Sequence, residues 1–138
     1  MKANILDGRA ISKDLREKVK QTIKDSGRVP GLATIITSDD ESIKAYRVCG
    51  EVGVLTHNYC FSSGSRLDEI LRLIEKLNDD PEIGGILLQF PLSPGLDKDR
   101  IVSAISPQKD VDGITPLNAG RLYTGAKCLV PCTSKGIL

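Results

Sequence analysis

No apolar run in this sequence approaches the roughly 18 residues that a membrane span needs, so the chain is not expected to cross a bilayer. Its first residues, Met1-Lys2-Ala3-Asn4-Ile5-Leu6-Asp7, lack the apolar stretch of a signal peptide, and a cytoplasmic protein is the expectation. Neither sign of charge is in excess: 19 Lys+Arg against 18 Asp+Glu leave +1. That is too little for an electrostatic footprint on nucleic acid or a membrane surface, and neither partner is expected. Cysteine is sparse. The one close pair, Cys128 and Cys132, has three residues between, not the two of a redox or zinc knuckle, and His57 is the single histidine. No metal site is expected, and the four thiols read as reduced and structural. Also missing are a G-x-G-x-x-G after a strand, a Walker A loop, a G-x-S-x-G elbow and an H-E-x-x-H helix. Gly84-Gly85 alone does not cradle a phosphate.

What is present is one domain's worth of chain. The 138 residues are 40% hydrophobic and 27% charged, which excludes disorder and fibrous classes. Ile11, Leu15, Val19 and Ile23 recur every four residues and predict an amphipathic helix over 9–26, closed by Gly27. Leu32 to Ile36 reads as a buried strand, 41–52 as a short helix stopped by Gly53, and 54–61 as a second strand. Leu67, Ile70, Leu71, Ile74 and Leu77 form the clearest helical stripe. Residues 85–90 predict a third strand stopped by Pro91, and Asp97 to Ile105 a short helix. The remainder, rich in Pro, Gly and Thr, predicts loops and a few short elements. Pro131-Cys132-Thr133 reads as a loop opening a helix, in a domain-exit linker. Strand–helix alternation with apolar strands predicts a parallel sheet with helices on both faces. Ligands in such folds bind beyond the carboxyl ends of the strands, which directs attention to 37–46, 61–65, 89–96 and 110–118.

Three groups in those segments stand out. Gln89 ends an apolar strand, where an unpaired amide costs about 1–3 kcal/mol. It either bonds a neighbouring loop or stands at a pocket mouth. In Lys109-Asp110-Val111-Asp112-Gly113 two carboxylates would share one side of an extended chain. The run reads either as an Asp-Gly turn or as a carboxylate on a polar ligand edge; nearby carboxylates are too few for a metal cage. Ser42, Lys44 and Tyr46 lie on the short helix. They read as a solvated face, or as a proton-carrying lysine and a stacking tyrosine. Lys44 and Tyr46 are two apart and do not share a helical face.

Several segments together resemble the bifunctional methylenetetrahydrofolate dehydrogenase/methenyltetrahydrofolate cyclohydrolase family. Gly85-Ile86-Leu87-Leu88-Gln89-Phe90-Pro91-Leu92-Ser93-Pro94 looks like its G-I-L-V-Q-L-P-L-P signature. Residues 109–122, from Lys109-Asp110-Val111-Asp112-Gly113 to Asn118-Ala119-Gly120-Arg121-Leu122, look like K-D-V-D-G-F-x-P-x-N-x-G-R-L. Pro131-Cys132-Thr133-Ser134-Lys135-Gly136-Ile137 resembles P-C-T-P-x-G-I, and Leu6-Asp7-Gly8-Arg9-Ala10 and Ser38-Asp39-Asp40 fit as well.

The resemblance implies a three-layer α/β/α domain with a mainly parallel sheet, like the amino-acid-dehydrogenase N-terminal domain, over residues 1–138. It implies that the companion Rossmann domain, which supplies the NADP site, lies outside this chain, so the chain itself binds no cofactor. The implied activity is NADP-dependent oxidation of 5,10-methylenetetrahydrofolate to the methenyl compound, then hydrolysis to 10-formyltetrahydrofolate. The setting is one-carbon metabolism and purine biosynthesis, by a cytoplasmic homodimer. In the family a Tyr and a Lys four residues later come from one helix, a Gln contacts that Lys, and the second Asp of K-D-V-D-G binds the pterin. Carried over, Gln89 is the lysine's partner, Asp112 the pterin anchor, and Tyr46, Leu88 and Phe90 line the folate.

The match departs from the family at the lysine. Aligned from Ser42, the segment offers Tyr46 and no lysine; aligned back from Gly53, it offers Lys44 and no tyrosine. The helix is short by about one turn, and Lys44 is carried as the stand-in catalytic residue beside Gln89. The alternative is a degenerate, non-catalytic folate-binding or scaffolding domain that has lost the lysine.

Overall fold

A computed structural model describes residues 7–37 and 46–137. Asp7 opens the first helix by accepting hydrogen bonds from the backbone N–H groups of Arg9 (2.9 Å) and Ala10 (3.3 Å), the usual use of an N-cap carboxylate. Helix α1 runs Gly8–Ser26 and ends where Gly27 turns left-handed. Strand β1 (Gly31–Ile36), helix α2 (Tyr46–Glu51), strand β2 (Leu55–Cys60), helix α3 (Leu67–Asp79) and strand β3 (Ile83–Leu88) follow. Helices α4 (Lys98–Ala104), α5 (Pro116–Thr124) and α6 (Cys132–Ile137) complete the order.

The three strands are parallel in the order β2-β1-β3. Asp110 pairs with Ile86 on the other edge of β3, also in parallel. Along β1, Ala33 and Ile35 face the main core, and the alternate residues Thr34 and Ile36 are buried too. Successive side chains leave a strand on opposite faces, so the central strand is covered on both. The α/β class with a parallel sheet is therefore what the chain adopts.

The core joins β1 and β3 to α3 and α4 through Ile70, Ile74, Leu77, Ile86, Leu88 and Ile101, each at most 2% exposed. Burying one such side chain contributes roughly 1.5–3 kcal/mol, an upper bound because unfolded chains are already partly collapsed. Polar groups tie the helices together. Asn78 Nδ2 donates to the Ala104 carbonyl (2.8 Å) and its Oδ1 accepts from the Ser106 N–H (2.9 Å). Lys109 Nζ donates to the carbonyls of Leu77 (2.8 Å) and Asp80 (2.6 Å), capping the end of α3 with a cation.

Two sequence expectations need correction, and the predicted first helix forms with its stripe left exposed. Strand β3 spans 83–88, not 85–90; an irregularity opposite Gly31/Leu32 inserts Gly84 as an extra residue. The insertion lets Ile83, Ile86 and Leu88 all face the core. Helix α5 is a nine-residue helix in a stretch expected to be mostly loop. Thr115 before Pro116, and Gly125 after Thr124, were its available start and stop signals. The α1 stripe is not buried: Ile11 is 57% and Leu15 60% exposed, and only Ile23 is partly covered. A helical period marks a face able to be buried, but does not say which element covers it.

Candidate functional site

Strand β3 and the Asp110 bridge run in the same direction, so Gln89 and Asp112 both leave the sheet at its carboxyl edge. Gln89 lies one residue past β3. Its backbone N–H still donates to the Ile35 carbonyl (2.9 Å), continuing the ladder. Its side chain is half-buried; Nε2 donates to the adjacent Phe90 carbonyl (3.1 Å), and Oε1 has no partner among the described residues. The chain then turns through a cis Phe90–Pro91 peptide and folds back on β1. There the buried Ser93 N–H donates to Thr37 Oγ1 (3.0 Å) and the Ser93 hydroxyl to the Thr37 carbonyl.

Asp110 and Asp112 have opposite environments. Asp110 is 1% exposed, and its carboxylate accepts from the N–H groups of Thr115 (2.8 Å) and Ile114 (3.2 Å) and from Asn118 Nδ2 (2.9 Å). Burial pushes this carboxyl up, but the Thr115 N–H, Asn118 and the Ile114 N–H outweigh it and hold it below 3.8. The Thr115 hydroxyl also lowers it by proximity, although Oγ1 itself makes no hydrogen bond of normal geometry. Asn118 Nδ2 also donates to the Pro107 carbonyl (2.9 Å), and Oδ1 accepts from Arg121 Nη1 (3.3 Å). Asp110, Thr115, Asn118 and Arg121 thus form the lock that docks α5.

Asp112 is what that lock leaves over. It is half-buried, and its carboxylate accepts no hydrogen bond and makes no ion pair among the described residues. Burial, and then the negative charge of Asp110, push its carboxyl above 3.8. Gly113 at φ 65° makes the turn that follows; a Cβ there would lie 2.3 Å from the Leu129 carbonyl oxygen. The Asp-Gly turn and the ligand-facing carboxylate, alternatives on sequence, are both compatible with this segment.

Of the other residues named from sequence, Leu88 is 2% exposed and its side chain belongs to the core. Phe90 is 37% exposed. Ser42 and Lys44 lie outside the described residues, as does the side chain of Tyr46, the first residue of α2. A cavity of about 720 Å³ opens between α4 and α5. Phe90 and Gly113, the neighbours of Gln89 and Asp112, line it; Gln89, Asp112 and Leu88 do not. Its other walls include Lys98 and Val102 from α4 and Leu122 and Tyr123 from α5; of these only Leu122, in the N-x-G-R-L run, belonged to a segment singled out from sequence. No group of three or more potential metal ligands occurs among the described residues, and no described helix is long and apolar enough to cross a membrane.

These features define an α/β domain with a half-buried carboxylate and a carboxamide at the carboxyl edge of a parallel sheet, the usual position of a small-molecule site. Residues 6–112 match the family model for the tetrahydrofolate dehydrogenase/cyclohydrolase catalytic domain, and the chain belongs to that family. The Bifunctional protein FolD of Methanoculleus marisnigri is 39% identical over 139 residues, covering 97% of this chain and 49% of the relative. Among solved structures, the Campylobacter jejuni FolD methylenetetrahydrofolate dehydrogenase/cyclohydrolase superposes with a TM-score of 0.89 at 35% identity, over 97% of this chain and 51% of that one. The Trypanosoma brucei FolD, solved with NADP cofactor and inhibitor, gives 0.88 at 27% identity, over 98% and 50%. The chain thus spans about half the length of the relatives it matches.

Proposed function

We propose that residues 1–138 are the folate-binding catalytic domain of a methylenetetrahydrofolate dehydrogenase/methenyltetrahydrofolate cyclohydrolase. The whole enzyme oxidises 5,10-methylenetetrahydrofolate to the methenyl compound with NADP. It then adds water to give 10-formyltetrahydrofolate. The observation that carries this reading is Asp112: a half-buried carboxylate with no described partner, beside an Asp110 whose hydrogen bonds are all internal. A desolvated carboxylate calls for donors. The amino and ring N–H groups of a reduced pterin are such donors. Gln89, at the same edge, is proposed as the positioning residue that hydrogen-bonds the catalytic amine, and Lys44 as that amine. A lysine kept partly neutral by burial and an amide contact moves a proton to or from the water attacking the iminium carbon. Tyr46, Phe90 and the backbone at Leu88 complete the folate contacts in this proposal.

NADP does not fit this chain by itself. No turn leading from a described strand carries the glycine-rich loop that a pyrophosphate needs. The relatives are named as bifunctional enzymes, and the non-catalytic alternative is not favoured. A cytoplasmic location, a homodimer of the whole enzyme and a role in one-carbon supply to purine biosynthesis belong to the same proposal.

The test is calorimetric titration of the chain with 5-formyltetrahydrofolate, a stable reduced folate. Asp112→Ala is expected to weaken binding by about 1–3 kcal/mol through loss of charge-assisted hydrogen bonds. Unchanged affinity in that variant would remove Asp112 from the site.

A further inference from the structure

The turn that follows β3 is pinned to β1 at both ends. At its start the Gln89 N–H donates to the Ile35 carbonyl (2.9 Å). At its close the Ser93 N–H donates to Thr37 Oγ1 (3.0 Å) and the Ser93 hydroxyl to the Thr37 carbonyl. Between the pins lie only Phe90, Pro91 and Leu92, and the Leu92 side chain packs against the core. Thr37 is 1% and Ser93 6% exposed. Water has little access to either residue, so a bond broken there leaves a buried polar group unpaired.

This closure bears on the carboxamide at the start of the turn. Gln89 Nε2 donates to the Phe90 carbonyl (3.1 Å), and that carbonyl belongs to the pinned turn. A carbonyl only accepts, so it selects the amino edge of the carboxamide and turns Oε1 away from itself. Oε1 is left without a partner among the described residues. An ammonium group, which only donates, is the complement of that oxygen. The clamp is particular to this chain. The G-I-L-V-Q-L-P-L-P signature ends on a second proline where this chain has Ser93. Proline has neither the N–H nor the hydroxyl that reaches Thr37.

We infer that Thr37 and Ser93 are positioning residues: their hydrogen bonds hold the turn so that Gln89 presents Oε1, and not its amino group, to the reacting amine. The inference rests on the reading of Gln89 as that amine's partner and adds what orients it. Both residues act through Gln89, and neither touches the substrate.

The test follows the Gln89 side-chain amide signal in the NMR spectrum of the isotope-labelled 138-residue chain, assigned by its loss in Gln89→Ala. Thr37→Val keeps the side-chain shape and removes Oγ1. Ser93→Ala removes the hydroxyl and keeps the N–H. Thr37→Ser keeps the acceptor. In Thr37→Val and Ser93→Ala the Gln89 signal is expected to move toward that of a solvated glutamine. Its hydrogens should exchange with water about fivefold to tenfold faster, the effect of losing roughly one hydrogen bond. Thr37→Ser is expected to keep the wild-type signal. Should Thr37→Val fail to fold, Ser93→Ala decides. Folded variants that melt lower but leave the Gln89 signal unchanged would make both residues merely structural and overturn the inference. Hydrolysis of 5,10-methenyltetrahydrofolate by the same proteins tests the reading beneath it. Thr37→Val and Gln89→Ala should each slow it, and the double variant should be no slower than Gln89→Ala alone. A double variant slowed by the product of the two effects would show that Thr37 does not act through Gln89. If Gln89→Ala hydrolyses as fast as the unaltered chain, the role given to Gln89 fails, even where its signal responds to the clamp.

Discussion

Asp110 and Asp112 are the same residue type two positions apart, yet one is fully hydrogen-bonded and the other has no described partner. The difference has a pH signature of opposite sign. Asp110 is held below 3.8, so its contribution to stability is present above that pH and is lost as pH falls through its folded value. Asp112 is held above 3.8, so the folded state binds its proton more tightly than the unfolded chain. Its contribution is full below 3.8 and drains away as pH rises through the raised folded value. Asp112→Asn is therefore expected to melt at or above the wild-type temperature at pH 7. Asp110→Ala, which strands three donors, should lose about 3 kcal/mol or more. A lower melting temperature for Asp112→Asn would mean that the carboxylate is already partnered in the free protein. Donor ligands favour the ionised carboxylate, so folate affinity should fall as pH drops through the raised Asp112 value. Sequence marked Gln89 and Asp112 as polar residues at strand exits. Residue type did not distinguish Asp110 from Asp112, because the donors that satisfy Asp110, the Ile114 and Thr115 N–H groups and Asn118, reach it only once the turn at Gly113 and the start of α5 have formed.

The elements show why the glycine pair in β3 is there. Gly84 is the extra residue of the irregularity. Gly85 lets the Asp110 segment come close: a Cβ there would lie 2.4 Å from Val111 Cγ1. Gly85→Ala is expected to cost about 1–3 kcal/mol by overpacking, and much less in a Val111→Ala background. Urea denaturation of both single variants and the double variant measures that coupling. Additive costs would show that the strand moves aside instead. The stripe of α3 was legible because Ile70, Ile74 and Leu77 recur at the helical period and are all buried. The bounds of β3 were not legible, since the inserted residue breaks the alternation that sequence reading depends on.

Across the whole molecule, the exposed α1 stripe contrasts with the buried α3 stripe. Leu15 is 60% exposed and Ile74 0%. Leu15→Ser in this chain should change stability by about 0.5 kcal/mol or less, whereas Ile74→Ala should cost about 2–5 kcal/mol. Chemical denaturation compares the two, and a Leu15 effect near that of Ile74 would show the stripe to be covered in solution. The chain spans about half of its FolD relatives, and no described strand feeds a glycine-rich phosphate loop. The 138-residue chain incubated with methylenetetrahydrofolate and NADP should give no rise in NADPH absorbance. A steady rise would place a nucleotide site within it.

By itself the sequence determined the α/β alternation, the α3 stripe, the motifs shared with the family and the two polar strand exits. Each of these is a local pattern: period, composition or spacing. Only the tertiary structure decided that Asp110 is structural while Asp112 has no partner among the described residues, that Lys109 caps α3 and Gly85 seats Val111, and that a cavity opens between α4 and α5 with Lys98 over Phe90. Those outcomes depend on which turn geometry forms and which elements come to lie side by side, and so on which groups supply hydrogen bonds, atoms or empty space; packing fixes those neighbours, and residue type and spacing do not.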